Sequence, residues 1–151
     1  MSVSKFVIVT LSLIVIISGC TTPPIKTHAP EGFAGYRDTQ DFKAISPDSV
    51  VYQIRELENK PSADLNFWKK ALKKHMIDSG YHFVSEADLK GEAGLGYLIE
   101  LAAPVRNEDY TYLIALYVEK KRLLVAESAG EVSKIKQHRE AIITAMKSIP
   151  F

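Results

Sequence analysis

The run Tyr110 to Glu119 (YTYLIALYVE) constrains the fold more than any other stretch of this chain. In an extended strand, successive side chains point to opposite faces. Tyr110, Tyr112, Ile114, Leu116 and Val118 therefore share one face, and Thr111, Leu113, Ala115 and Tyr117 share the other. Both faces are largely apolar. A strand with one solvated face alternates between apolar and polar residues, so this one is expected to lie inside a sheet covered on both sides. The pair Lys120-Lys121 reads as a tight turn into a following strand, Arg122–Ser128 (RLLVAES).

Two amphipathic helices are expected to supply the covering layers. From about Ser62 to Ser79, Leu65, Trp68, Leu72, Met76 and Ser79 recur at helical spacing, with Ala71 and His75 beside them. Ser62 is placed to cap this helix, Asp64 favours its positive end and Gly80 suits its stop. The second helix is expected from about Glu131 to Ser148, with Val132, Ile135, Ile142, Met146 and Ile149 as its stripe and Ala145 alongside. Upstream, Phe42 and Ala44, then Val50 to Leu57, read as two strands joined by the turn Ser46-Pro47-Asp48-Ser49. In the second of them Val50, Tyr52 and Ile54 form the buried face, and Val51, Gln53 and Arg55 the other. Residues 58–63 (ENKPSA) break the strand. A short strand over Tyr81–Ser85, a flexible loop EADLKGEAG and a strand from about Leu95 to Ala103, ended by Pro104, precede the central strand. The order strand, strand, helix, four strands, helix predicts an α+β fold. It is a mainly antiparallel sheet of about six strands packed with two amphipathic helices.

The beginning of the chain differs in character. MSVSKFVIVTLSLIVIISGC carries one basic residue, Lys5, and an apolar run from Phe6 to Ile17 broken only by Thr10 and Ser12. This is the pattern of a secretory signal peptide, and the run is shorter than the roughly 20 apolar residues a membrane span needs. The quartet Ile17-Ser18-Gly19-Cys20 resembles the lipobox of bacterial lipoproteins. That resemblance implies cleavage between Gly19 and Cys20, a diacylglycerol on the Cys20 sulfur and an acyl chain on the new amino group. The residue types suit the chemistry. A thiolate is the nucleophile for alkylation, small Ser18 and Gly19 admit a peptidase to the backbone, and Ile17 fills an apolar subsite. Cys20 is the single cysteine of the chain, so the mature domain is expected to have neither a disulfide nor a thiol-based site.

The expected organisation is a signal peptide over 1–19, lipidated Cys20 with a Pro-rich tether over 20–31, and one globular domain over 32–151. The prolines of TTPPIKTHAPE favour extended backbone. Thr21 stands where an Asp signals inner-membrane retention in enterobacterial lipoproteins, so an outer-membrane anchor facing the periplasm is expected. Over roughly residues 40–150, the Tyr-rich strand, its hairpin, VAESAGE and a last helix ending in KSI resemble the PsbP/DcrB-type α/β sandwich. The resemblance implies a non-enzymatic accessory or protein-binding module of a kind that includes bacterial lipoproteins.

Candidate sites are few. Basic residues number 19 and acidic residues 18, and Lys5 leaves with the leader. Balanced charge gives no reason to expect nucleic acid. Lys69, Lys70, Lys73 and Lys74 form a basic face on the first helix that, with Trp68, is the candidate binding surface, set against a plain solvated face. Trp68 and the tyrosines at 110, 112 and 117 read as core before ligand groove. GEAGLG precedes a strand instead of a helix, which is the wrong context for a phosphate cradle. His75, His82 and His138 lack metal-ligand spacing, and Ser128 and Glu127 point to opposite faces, so no catalytic residue, metal or cofactor is expected. The sequence thus predicts an envelope lipoprotein held to the bilayer through Cys20 and binding another envelope protein. A carrier with an apolar pocket between helix and sheet is the alternative, and an enzyme would require a polar cleft with convergent His and carboxylate groups.

Overall fold

A computed structural model describes residues 27–38, 41–105 and 108–151. The expected signal peptide, Cys20 and the first half of the expected tether lie outside the described residues. In chain order the elements are β1 (Ala34–Asp38), β2 (Asp41–Ile45), β3 (Val51–Glu58), α1 (Leu65–Asp78), β4 (His82–Gly91), β5 (Gly94–Val105), β6 (Glu108–Val118), β7 (Arg122–Glu131) and α2 (Val132–Lys147). The strands make one sheet in the order β1-β2-β3-β7-β6-β5-β4, and every neighbouring pair is antiparallel. After β3 the chain crosses along α1 to the far edge. It then returns strand by strand until β7 pairs with β3. The α+β class and the antiparallel sheet with two helices are as expected, with seven strands where about six were read.

The two faces of β6 explain the layering. Ile114 and Leu116 belong to a cluster with Tyr97, Ile99, Leu101, Leu123 and Val125, against which Leu65, Trp68, Leu72 and Met76 of α1 pack. Leu113, Ala115 and Tyr117 belong to another cluster with Tyr52, Ile54, Leu124 and Ala126, closed by Ile135, Ile142, Ala145 and Met146 of α2. The helices therefore lie on opposite faces of the sheet. Burying each Leu or Ile in these clusters contributes roughly 1.5–3 kcal/mol, which is how two short amphipathic helices fix the position of a seven-stranded sheet. Among the described residues no helix is long and apolar enough to cross a membrane.

One strand is added to those expected, and three local expectations are corrected. AGYRD forms the edge strand β1. EADLKGEAG is not a loop, because β4 continues to Gly91 and turns through Glu92-Ala93 into β5, Gly91 pairing with Gly94. The glycines there have structural reasons. Gly94 has φ +94°, while a Cβ at Gly96 would sit 2.6 Å from the Tyr117 ring and one at Gly91 2.6 Å from the Tyr117 hydroxyl. Strand β5 also runs on through Pro104 to Val105. Finally, Asp64 and not Ser62 caps α1, its Oδ1 accepting from the Phe67 N–H at 2.8 Å.

The end of the expected tether lies on the domain. Pro30 is buried, Ala29 and Phe33 pack against the α2-side cluster, and the Phe33 ring meets His138 edge-on at 5.2 Å.

Candidate functional site

Helix α1 packs on β5 and β6. Leu123 and Val125 in the first half of β7 belong to the cluster under α1, but from Glu127 and Ala129 onward the same face of the sheet continues across β3 and β2 without a helix over it. The register places Ile45 beside Val51, Val51 beside Ala129 and Gln53 beside Glu127, so these residues share the open surface. Ile45, Val51 and Leu57 are each more than 40 % exposed there. This is the face of VVYQIREL opposite its buried residues, and its two aliphatic members are what make it more than a solvated edge.

Where α1 ends, a groove of about 240 Å³ opens between Tyr81 and the sheet. Val51, Ala103 and Ala129 supply apolar surface, and Tyr81, Tyr110 and Tyr112 supply aromatic surface, with Gln53 and Glu127 at its polar end. The rings of Tyr81 and Tyr112 lie 5.6 Å apart and are tilted by 36°. The turn after α1 sets Tyr81 in place, since its N–H donates to the Met76 carbonyl at 3.1 Å.

The polar groups of the groove bond to one another. Arg55 donates through Nε and Nη2 to the two carboxylate oxygens of Glu127 at 3.0 and 2.8 Å. The Tyr112 hydroxyl donates to the same carboxylate at 2.7 Å. Gln53 donates to Asp41 at 3.1 Å. Burial, and next the neighbouring Glu127, push the Tyr112 hydroxyl above its ordinary value, so it stays a donor. A forked Arg–carboxylate pair is rigid and internally neutral. The groove thus offers shape, aromatic surface and aliphatic surface, but no unmatched carboxylate that would single out a cation.

The structure separates the residues proposed from sequence. Trp68 is half-buried in the α1-side cluster, and its indole N–H is engaged by Asn59 at 2.7 Å. Lys73 lies over the Phe83 ring at 3.8 Å and pairs with Glu86 at 3.1 Å. Lys69 lies 5.7 Å from the Tyr97 ring centre, and Lys74 pairs with Asp78 one turn on at 2.7 Å. Lys70 is exposed. These four lysines do not converge on a pocket, and α1 stands between them and the groove's sheet floor. Hydrogen bonds from Tyr97 and then Lys73 hold the Glu86 carboxyl below its ordinary value. Of the tyrosines, Tyr110 and Tyr112 line the groove, whereas Tyr117 is buried and donates to the Met146 carbonyl at 3.0 Å.

The histidines do not meet. His75 and His82 are exposed, and His138 on α2 lies 2.9 Å from Asp48 of the β2–β3 turn. Ser128 is buried and donates to the Val51 carbonyl at 2.9 Å, on the opposite side of its strand from Glu127. Among the described residues no group of three or more His, Cys, Asp or Glu is placed to hold a metal ion. Sequence reasoning missed Tyr81, Arg55 and Glu127 as neighbours of Tyr112. The strand register brings Arg55, Glu127 and Tyr112 together, and the turn after α1 sets Tyr81 beside them.

The fold is thus a sheet with a helix on each side and one face half uncovered. No family model matches the chain, and no curated protein matches it. It is similar in fold to the crystal structure of PA94 from Pseudomonas aeruginosa, a protein of unknown function. The TM-score is 0.60 at 12 % identity, over 78 % of this chain and 95 % of that one.

Proposed function

We propose that the protein is a lipoprotein of the bacterial cell envelope, held to the outer membrane through acylated Cys20. Its domain binds a protein partner through the groove beside Tyr81 and Tyr112. One observation carries the binding reading: Val51, Ile45 and Leu57 remain exposed on a sheet face where Arg55 and Glu127 are paired with each other. Apolar surface next to aromatic side chains, with no unpaired ion in it, is the composition of an interface centre. A volume of about 240 Å³ suits one bulky apolar side chain of the partner, which would lie between Tyr81 and the floor of Val51 and Ala129.

The carrier reading has less support. An enclosed small-molecule site takes roughly 300–1,000 Å³ and surrounds most of its ligand. Here Trp68, Leu72 and Met76 fill one helix–sheet space, and Ile135, Ile142 and Met146 fill the other.

The test is site-specific photo-crosslinking in native cells, with a benzoylphenylalanine at Val51 or at Lys70. The proposal predicts a discrete protein adduct from Val51 and none from Lys70. It also predicts that Tyr112→Ala weakens the adduct without loss of folded protein. Equal adducts from both positions, or none from Val51, would overturn it.

A further inference from the structure

The strand register lines up an apolar row across the open face. Tyr112 stands opposite Ala129, Ala129 opposite Val51, Val51 opposite Ile45 and Ile45 opposite Ala34. Directly opposed residues share a face of the sheet. The row therefore runs from the aromatic wall of the groove on β6 to the edge strand β1. The next row along the strands is polar, with Glu127, Gln53 and Lys43 in register. Rows on one face lie about 7 Å apart. The apolar surface is thus a stripe one residue wide and four strand spacings long, or roughly 19 Å. Ile45 and Val51 on it are each 41 % exposed.

Size and hydrogen bonding choose among occupants. A stripe of those dimensions covers roughly 130 Å², against about 800 Å² per partner in a stable interface between folded surfaces. Neither a second copy of this chain nor another broad globular face matches it. Among the described residues, the hydroxyls of Tyr81 and Tyr110 in the groove have no hydrogen-bond partner. Both oxygens of Glu127 already accept from Arg55, and one also from Tyr112. The groove thus offers donors and aromatic faces, while its carboxylate is engaged. A helical segment pairs its backbone carbonyls internally and has none for those hydroxyls. A polyproline II segment has no internal hydrogen bonds, so its carbonyls are free acceptors, and its prolines bring no N–H that would need an acceptor in return.

Resting on the reading of the groove as a protein-binding site, we infer that its occupant is a proline-rich segment of the partner, lying across the strands along this row in polyproline II conformation. At about 3.1 Å per residue, about six such residues span the row. The contact face of polyproline II repeats every three residues, or about 9 Å, which equals two strand spacings of about 4.8 Å. Successive turns therefore meet β6, β3 and β1, the strands that carry Tyr112, Val51 and Ala34. One prolyl ring seats beside Tyr81 and Tyr112, and the Tyr81 and Tyr110 hydroxyls donate to carbonyls of the segment. Such a segment is stiff before it binds, so little ordering entropy opposes so small a contact.

The experiment uses the full protein in detergent micelles, with fluorotyrosine in place of tyrosine and decaproline as the probe. Fluorine NMR resonances are assigned from single Tyr-to-Phe variants. Decaproline is expected to move the Tyr81, Tyr110 and Tyr112 resonances saturably and to leave those of buried Tyr52 and Tyr117 in place. Tyr81→Phe or Tyr110→Phe, which keeps the ring, should weaken binding several-fold, the size of one lost hydrogen bond. Val51→Glu should abolish it, with unmoved Tyr52 and Tyr117 resonances as the sign of an intact fold. Groove resonances that ignore decaproline, or that respond to it equally in Val51→Glu, would overturn the proline-rich occupant. If a photo-crosslinker at Val51 still gives a discrete protein adduct, that failure rejects the occupant and leaves the groove as a binding site. Absence of the adduct rejects the groove, and this inference with it.

Discussion

The indole N–H of Trp68 donates to the Oδ1 of Asn59 at 2.7 Å, joining α1 to the segment that leaves β3. Asn59 is only 4 % exposed, and its side chain also bonds the carbonyls of Ala63 and Glu119 and accepts from the Ala63 N–H. One amide thus ties the start of the crossover to the β6–β7 turn. Asn59→Ala leaves several buried partners unsatisfied at once, and each costs about 1–3 kcal/mol. The expected loss is at least about 2 kcal/mol. Trp68→Phe, which keeps most of the packing, should cost less, and denaturant unfolding of the two variants will show whether that order holds.

Leu116 is 3 % exposed in the middle of β6. Leu116→Asp puts an unpaired charge where both neighbouring strands and α1 exclude water, at a cost of several kcal/mol. The mature domain should not fold, and thermal melting by circular dichroism should show no cooperative transition.

The glycines of the β4–β5 hairpin should separate by mechanism. At Gly96 an added methyl meets the Tyr117 ring at 2.6 Å and the Leu116 carbonyl at 2.9 Å. Gly96→Ala should therefore cost about 1–3 kcal/mol through overpacking. Gly94 has open space but a φ of +94°, so Gly94→Ala is strained by backbone conformation alone. A Tyr117→Leu background should relieve part of the first cost and none of the second, which a double-mutant cycle reads directly.

Asp48 links the β2–β3 turn to α2. Its carboxyl is held below the ordinary value of 3.8, chiefly by the Ser46 hydroxyl and next by the His138 ring. A depressed folded value means the contribution is complete above the ordinary carboxylate range and is withdrawn as pH falls through the lower value. Wild type should therefore melt higher than Asp48→Asn at neutral pH, and the gap should close under strong acid. A gap that is the same at every pH would show that the carboxylate is not the source.

What could be read from the residues alone divides along physical lines. β6 was legible because both of its faces carry apolar side chains, and α1 and α2 because Met76, Ile135, Ile142 and Met146 recur at helical spacing. The second half of β4 was not. Glu86, Ala87, Asp88 and Lys90 are exposed on an edge strand and only Leu89 is buried, so no alternation marks it. The groove was half legible. The outward face of β3 was visible in VVYQIREL, but Tyr112 and Glu127 meet through pairings between distant segments, and Tyr81 joins them through the packing of the turn after α1, none of which a local pattern records.

The most direct test of the account is the intact mass of the protein purified from the membranes of its own cells. The account predicts a chain that lacks residues 1–19 and begins at Cys20, heavier than the bare polypeptide by a diacylglycerol and one further acyl chain. A mass that matches an intact leader, or an unmodified Cys20, would contradict it.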